Sequence, residues 1–339
     1  MAKSIGIDLG TTNTNICQKG KGIVLREPTA VAFDSGSGDI IAAGTRAKKM
    51  LGKNPPEIEV VLPIKGGAIS DFEDAAEMLI TFLYKLGLRG ITAKPRITVA
   101  VPWGITEVEK NAFENVCVEA SGRDVCLLVE EPMAAAIGAG IDVMKARGGL
   151  ICDTGGGNTQ TAIISYRGVI KADMIRTGGD DIDEAIISYV RNNYSIALGK
   201  SKAELIKKQI GSAHPAFDRG EFSVYGRNLI TGQVVKIAIS SSEVREAILP
   251  VLESITEHIR SVLEGIPPEL ASDVFDAGLT LTGGTALLPG IDRLINERLG
   301  LPVRIAKHPT DSVCRGLMVL QDASDDMLQA VCVKEDRDR

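Results

Sequence analysis

The chain has 339 residues, 44% hydrophobic and 24% charged, with a formal net charge of −6. That length predicts two domains rather than one small core. The acidic balance and the 4% aromatic content argue against a nucleic-acid binder, which needs basic surface and stacking rings.

In chain order, residues 4–9 read as a strand that begins at once, with no leader pattern. The turn Gly10-Thr11-Thr12-Asn13 leads to a second strand at 15–18, and β patterning continues to about residue 44. Residues 45–52 read as helix and 53–70, with Pro55, Pro56, Pro63 and paired glycines, as irregular. An amphipathic helix is predicted at 71–86 with Asp71 as its N-cap. A buried strand follows at 97–102, then a helix from Thr106 to Ala120 opened by the capping box Thr106-x-x-Glu109. VCLLVEEP reads as a strand and PMAAAIGAG as a helix of small residues. The run 125–143 is too broken by Glu130, Glu131 and Pro132 to cross a membrane. After strand, turn and strand over 149–164, helices are predicted at 180–197 and 201–210, and strands at 221–225 and 234–239. Helices at 241–264 and 267–276, the strand LTLTGG and the helix LLPGIDRLINERLG complete the series. Cys17, Cys117, Cys126 and Cys152 lie in apolar runs and read as buried free thiols in a reducing cytoplasm. No C-x-x-C pair occurs and the histidines at 214, 258 and 308 are scattered, so a zinc site is not expected.

The strand-turn-strand pattern occurs twice. IGIDLGTTNTNI and LICDTGGGNTQTAI align Asp8 with Asp153, Gly10 with Gly155, Asn13 with Asn158 and Thr14 with Thr159. Glycine turns let backbone N–H groups approach an anion closely, and Thr and Asn add donors. An aspartate at the end of each strand suits Mg²⁺, which keeps its waters and takes few protein ligands. A single such turn is equally an ordinary hairpin; two matching ones suggest phosphate loops facing across a cleft. Gly199-Lys200-Ser201 resembles the end of a Walker A loop, but Tyr194 stands where its first glycine belongs, and no G-x-G-x-x-G joins a strand to a helix. Gly283 and Gly284 would let a base or ribose lie against the backbone.

Asp8–Thr14, Asp153–Gly157 and Leu281–Gly284 resemble the phosphate-1, phosphate-2 and adenosine motifs of the actin, heat-shock-70 and sugar-kinase superfamily. GKGIVLREP (20–28), EEPMAAAIGAG (130–140), GGDDIDEAII (178–187), AELIKKQIGSA (203–213), NLITGQ (228–233) and PPELASDVFDAGLTLTGG (267–284) are similar to MreB, the bacterial actin, over nearly the whole chain. The resemblance implies an α/β, actin-like ATPase fold: two duplicated ribonuclease-H-like domains with inserted subdomains around a nucleotide cleft. Domain I is expected over 1–145 (core 1–28 and 71–145, small subdomain about 29–70). Domain II is expected over 146–330 (core 146–180 and 241–330, small subdomain about 181–240), followed by a charged tail at 331–339. The resemblance also implies ATP or ADP with Mg²⁺. Nucleotide contacts would fall on Thr11, Thr12, Asn13, Gly155, Gly156, Gly157, Asn158, Glu204, Leu205, Ile206, Lys207, Gly283, Gly284, Thr285 and Ala286. Asp8 and Asp153 would hold the metal. Glu131 matches the glutamate that orients the attacking water, with Glu130 as the alternative. From the residues alone, both glutamates could equally cap the helix at Pro132.

Four positions depart from the family pattern: Asn158 and Gln160 of Asn158-Thr159-Gln160 where the family has Thr-Thr-Glu, Thr154 in place of an isoleucine, and Thr285 in place of a glycine. The expectation is a weak ATPase that binds ATP and polymerises as paired protofilaments, but hydrolyses slowly. Asn158→Thr is expected to speed phosphate release, with Gln160→Glu adding to it. The implied role is organising cell shape and wall synthesis through cell-wall adaptors. A cargo-positioning relative of the magnetosome type is the alternative, and a metabolite kinase is the alternative of another class. The expected location is cytoplasmic, with filaments held weakly at the membrane through Leu88 and Ile91, whose neighbours Arg89, Lys94 and Arg96 are basic.

Overall fold

The computed structural model describes residues 3–90, 94–123 and 126–333. Two five-stranded sheets organise them. In the first, the spatial order is Gly22–Pro28, Asn13–Gln18, Ser4–Leu9, Arg96–Val101 and Leu127–Glu130. In the second it is Gly168–Ile175, Thr159–Ser165, Gly149–Thr154, Leu279–Thr282 and Val303–Ile305. The orders match: a central strand carries an antiparallel hairpin on one side and parallel crossover strands on the other. The match extends to register. Asp8 pairs with Asn15 and Asp153 with Gln160, at the same offset that aligns the two stretches in sequence. The strand Gly149–Thr154 is buried along its whole length, as befits a strand covered on both faces.

Capping fixes where the helices begin. Asp71 accepts the Asp74 N–H at 3.0 Å, opening the helix Phe72–Lys85. Thr106 and Glu109 form the full capping box of the helix Glu107–Ser121, which ends on the left-handed Gly122 at φ 67°, where a residue lacking Cβ is favoured. One apolar core lies around the first sheet (Ile5, Ile7, Leu79, Phe82, Phe113). A second lies around the other sheet (Ile182, Ile186, Leu252, Ile255, Leu281).

A third cluster joins the two. It takes Cys17 and Ala100 from the first sheet, Ile151 and Ala162 from the second, and Ala134–Ala136 with Cys314 and Leu317 from two helices between them. Those helices, Glu131–Gly138 and Ser312–Leu320, touch backbone to backbone. A Cβ at Gly138 would sit 1.8 Å from the Ser312 carbonyl oxygen, and one at Gly316 1.9 Å from that of Ala134.

Several expectations change. Residues 53–70 hold three short strands, Ile58–Val61, Ile64–Lys65 and Ala68–Ile69; Pro55, Pro56, Pro63 and the paired glycines break the alternation that would have revealed them. The strand Gly168–Ile175 was not foreseen, because its residues are mostly half-buried rather than alternating. The helix Ser312–Leu320 was not foreseen, because Gly316 interrupts its apolar pattern. The helix predicted over 180–197 stops at Tyr194, where Ser195 turns left-handed at φ 55°.

Leu88 is 1% exposed and belongs to the first core, so it offers no membrane contact. The turn Gly87–Leu88 folds it back, with the Leu88 N–H bonded to the Leu83 carbonyl at 2.9 Å. Ile91 lies outside the described residues. Among those residues no helix is long and apolar enough to cross a membrane. Cys17, Cys117, Cys126 and Cys152 are buried and free, as expected.

Candidate functional site

The two hairpin turns close alike and meet. The Gly10 N–H bonds to the Asn13 carbonyl at 3.2 Å, and the Gly155 N–H to the Asn158 carbonyl at 2.9 Å. A Cβ at Gly156 would lie 1.8 Å from Thr12 Oγ1, and one at Gly157 2.7 Å from Thr11 Oγ1. Glycine at both positions is what lets the turns approach. Beside them opens a cavity of about 590 Å³, within the usual span of small-molecule clefts, about 300–1,000 Å³.

The sequence candidates Asp8, Thr11, Thr12, Asn13, Glu131, Asp153, Gly155, Gly156, Asn158, Glu204, Lys207, Gly283, Gly284 and Thr285 all line the cavity. Five other candidates do not line it. Gly157 is packed under Thr11. Ile206 and Ala286 are buried in the second core, and Leu205 is partly exposed. Glu130 is the N-cap residue of the helix Glu131–Gly138, but its side chain makes no capping bond.

Three acidic side chains share the cleft. Asp8 accepts a bond from Asn15 Nδ2 at 3.0 Å, and Asp153 from Thr282 Oγ1 at 2.8 Å. Burial raises Asp8 to about 7, against the Asn15 bond. It likewise raises Asp153 to about 6. Glu131 is pushed well above the ordinary carboxylate range, first by burial and then by Asp8 and Asp153. Three desolvated, mutually repelling carboxylates form an arrangement that a divalent cation stabilises.

The donors are hard oxygens, which suits Mg²⁺. Asn15 Oδ1, beside Asp8, is buried without a hydrogen-bond partner, a further oxygen available to a hydrated cation. Among the described residues no group of three or more His, Cys, Asp or Glu side chains could hold a metal alone. Mg²⁺ characteristically completes its shell with water and substrate phosphate, so the residues fit that ion.

Another part of the lining is cationic. Lys207 Nζ lies 2.8 Å from Asp183 Oδ1 and donates to the Gly179 carbonyl at 2.6 Å. Glu204 pairs with Lys208 at 2.6 Å and with Lys48 at 3.2 Å. Burial would raise its carboxyl, but these lysines hold it at about 2. Lys48 lies on the helix Thr45–Met50 and Glu204 on Lys200–Ile210, so this pair ties the two halves together.

The departing residues have definite places. Asn158 is 8% exposed, and its Nδ2 reaches Met174 Sδ at 3.7 Å. Thr285 donates to the Gly155 carbonyl at 3.0 Å, joining the third glycine turn to the second hairpin. Gln160 does not reach the cavity; it contacts Glu131 and the Trp103 backbone.

Sequence reasoning missed three features. Asn15 was signalled by the repeat, since it occupies the position of Gln160. The Lys48–Glu204 pair left no sequence signal. The hairpin Ile64–Ile69 was also missed. Its Gly67 N–H bonds to Thr11 Oγ1 at 2.9 Å, and its only hint was the paired glycines at 66 and 67, both at positive φ.

The family model of the MreB/Mbl protein matches residues 2–329. The chain is 45% identical to the cell shape-determining protein MreB of Escherichia coli over 320 residues, covering 93% of this chain and 92% of that one. It is 40% identical to the cell shape-determining protein Mbl of Bacillus subtilis over 324 residues, covering 96% and 97%. The crystal structure of MreB5 of Spiroplasma citri bound to AMPPNP superposes with a TM-score of 0.90 at 34% identity, covering 95% of this chain and 96% of that one. The MamK double helical filament superposes at 0.80 with 20% identity, covering 96% and 100%, a likeness of fold. The fold is therefore the α/β, actin-like one. With its duplicated aspartate hairpins meeting at a shared cleft and a match that runs nearly end to end, this chain belongs to the MreB/Mbl family.

Proposed function

We propose that the chain is an ATP-binding bacterial actin that polymerises and serves cell-shape determination, with hydrolysis slowed by the amide at Asn158. The observation that carries this reading is the pair of aspartate–glycine hairpins, in matched register, meeting at one cavity. On this reading the backbone of Thr11–Asn13 and Gly155–Asn158 holds the phosphates, and the glycine turn at Gly283–Ala286 backs the nucleoside. The lining residues Glu204 and Lys207 flank it, with Leu205 and Ile206 serving through their backbone. Asp8 and Asp153 would hold hydrated Mg²⁺, which would offset charge on the terminal phosphates. Glu131, the buried carboxylate beside both aspartates, orients the attacking water; Glu130, off the cavity, does not.

The names of the relatives support the cell-shape role: MreB of E. coli and Mbl of B. subtilis are called cell shape-determining proteins. MreB5 of S. citri is described bound to AMPPNP and to ADP. We assign the chain to two duplicated domains, 1–145 and 146–330, with small subdomains at about 29–70 and 181–240. The experiment is sedimentation and electron microscopy of the purified protein with ATP and Mg²⁺. Paired protofilaments that pellet with nucleotide are expected. A protein that stays in the supernatant across tens of micromolar, with ATP and without, would falsify the reading. Phosphorylation of a sugar under the same conditions would instead identify a metabolite kinase.

A further inference from the structure

Gln160 is fully buried and lies on the strand Thr159–Ser165 of the second hairpin, yet the other half of the chain uses both its polar atoms. Its Oε1 accepts the Trp103 N–H at 2.7 Å, and its Nε2 donates to Glu131 Oε2. A backbone N–H can only donate, so the amide oxygen must face Trp103 and the NH₂ must face the carboxylate. Among the described residues, Gln160 is the one side chain that hydrogen-bonds the Glu131 carboxylate. Glu131 opens its helix next to Pro132, and the three torsions of a glutamate side chain leave the carboxylate unfixed unless something holds it.

We propose that Gln160 is the positioning residue for Glu131: its amide carries a constraint anchored on the Trp103 backbone to one carboxylate oxygen and leaves the other to orient water. This rests on the reading of Glu131 given above. The chemistry requires a group with an acceptor at one end and a donor at the other. Glutamine supplies both; an ionised carboxylate supplies acceptors only. A glutamate at 160 would keep the Trp103 bond but set one buried carboxylate against another. The expectation that Gln160→Glu assists hydrolysis is therefore reversed. The bond also spans the two halves, so Glu131 is aligned only while they sit at this separation.

The test combines Gln160→Met, which removes both bonds at similar volume, with Gln160→Glu and Glu131→Gln. Affinity is read with a fluorescent ATP analogue and rate as phosphate released per mass of pelleted polymer. Trp103, the single tryptophan, reports its own environment by intrinsic fluorescence. Gln160→Met should leave ATP affinity within about twofold and lower the rate by about tenfold or more, since misplacement of about 1 Å can cost about a hundredfold. Adding Gln160→Met to Glu131→Gln should lower the rate no further. In Gln160→Glu the deficit in rate relative to the unmutated protein should shrink as pH falls, because the protonated carboxyl regains a donor. A wild-type rate in Gln160→Met, or a loss fully additive with Glu131→Gln, overturns the proposal. If Gln160→Met does not fold, Gln160→Glu decides through its pH profile relative to the unmutated protein, and a deficit that stays flat or grows as pH falls overturns it. Failure of the unmutated protein to bind ATP is a different result, and it refutes the cleft reading. The contact is then decided by a thermal double-mutant cycle on nucleotide-free protein, in which additivity overturns it.

Discussion

Gly67→Ala separates backbone strain from displacement of the phosphate-loop amide. Gly67 sits at φ +81°, and a Cβ there would lie 2.4 Å from Asn158 Nδ2 and 3.2 Å from Asn158 Cγ. Two costs follow. The left-handed backbone strains any L residue by roughly 1–2 kcal/mol, whatever surrounds it. The overlap is separate: ordinary contact begins at 3.4 Å, so the amide must retreat by about 1 Å, the scale at which misplacement costs up to about a hundredfold in rate. Asn158 Nδ2 is the end of a side chain held by a single weak contact to Met174, so it moves cheaply, and the overlap appears in kinetics rather than stability. Urea unfolding should therefore show the same loss, about 1–2 kcal/mol, when Gly67→Ala is made in wild type and in Asn158→Thr, whose side chain is shorter. Phosphate release at equal polymer mass should fall steeply in wild type and much less in Asn158→Thr. Equal rate losses in both backgrounds would refute the reasoning, because something other than Asn158 would then be displaced.

Asn158→Thr alone should speed phosphate release several-fold and cost less than about 1 kcal/mol of stability, since the bond lost is a weak one to sulfur. An unchanged rate would make the amide a neutral substitution. Asp8→Asn tests the electrostatics of the cleft. The Asp8 carboxyl ionises near 3.8 in the unfolded chain and near 7 in the folded one. Folded protein thus retains a proton that unfolded protein releases, and loses stability as pH rises through that window. Nucleotide-free Asp8→Asn should gain on wild type in urea midpoint from about pH 4 to about pH 7 and level off above it. A difference that is flat across pH 4–8 would show that Asp8 is not desolvated, while Mg²⁺–ATP should favour wild type.

Much of the site was readable because the cleft is built from a repeat. The aspartates, turn glycines and amides recur at a fixed spacing, and spacing survives in a linear chain. Capping was readable for the same reason: Asp71 and the Thr106–Glu109 pair act on neighbours three residues away. Illegible were contacts that depend on how the halves meet. Gln160 alternates correctly on its strand, but that it meets Glu131 rather than phosphate is fixed by how the two sheets are juxtaposed. Lys48 and Glu204, on separate helices, carry no local sign of pairing. Leu88 misled because basic neighbours make a loop look membrane-facing, whereas a single turn bond to Leu83 folds the side chain into the core.

The crossing of Glu131–Gly138 with Ser312–Leu320 has a mechanical consequence. Where two helices touch through glycine backbones, no long side chains lie between them to bend or re-pack as they shift. Such a joint turns as an axle does: it lets one half rotate on the other and yields little to sliding or stretching. Glu131 stands on the first turn of one of those helices, three residues before the contact at Ala134. A twist between the halves would then change the Lys48–Glu204 gap at the rim far more than it moves the Glu131 backbone, so the mouth of the cleft can gape by an amount limited only by how long Gln160 keeps hold of the carboxylate.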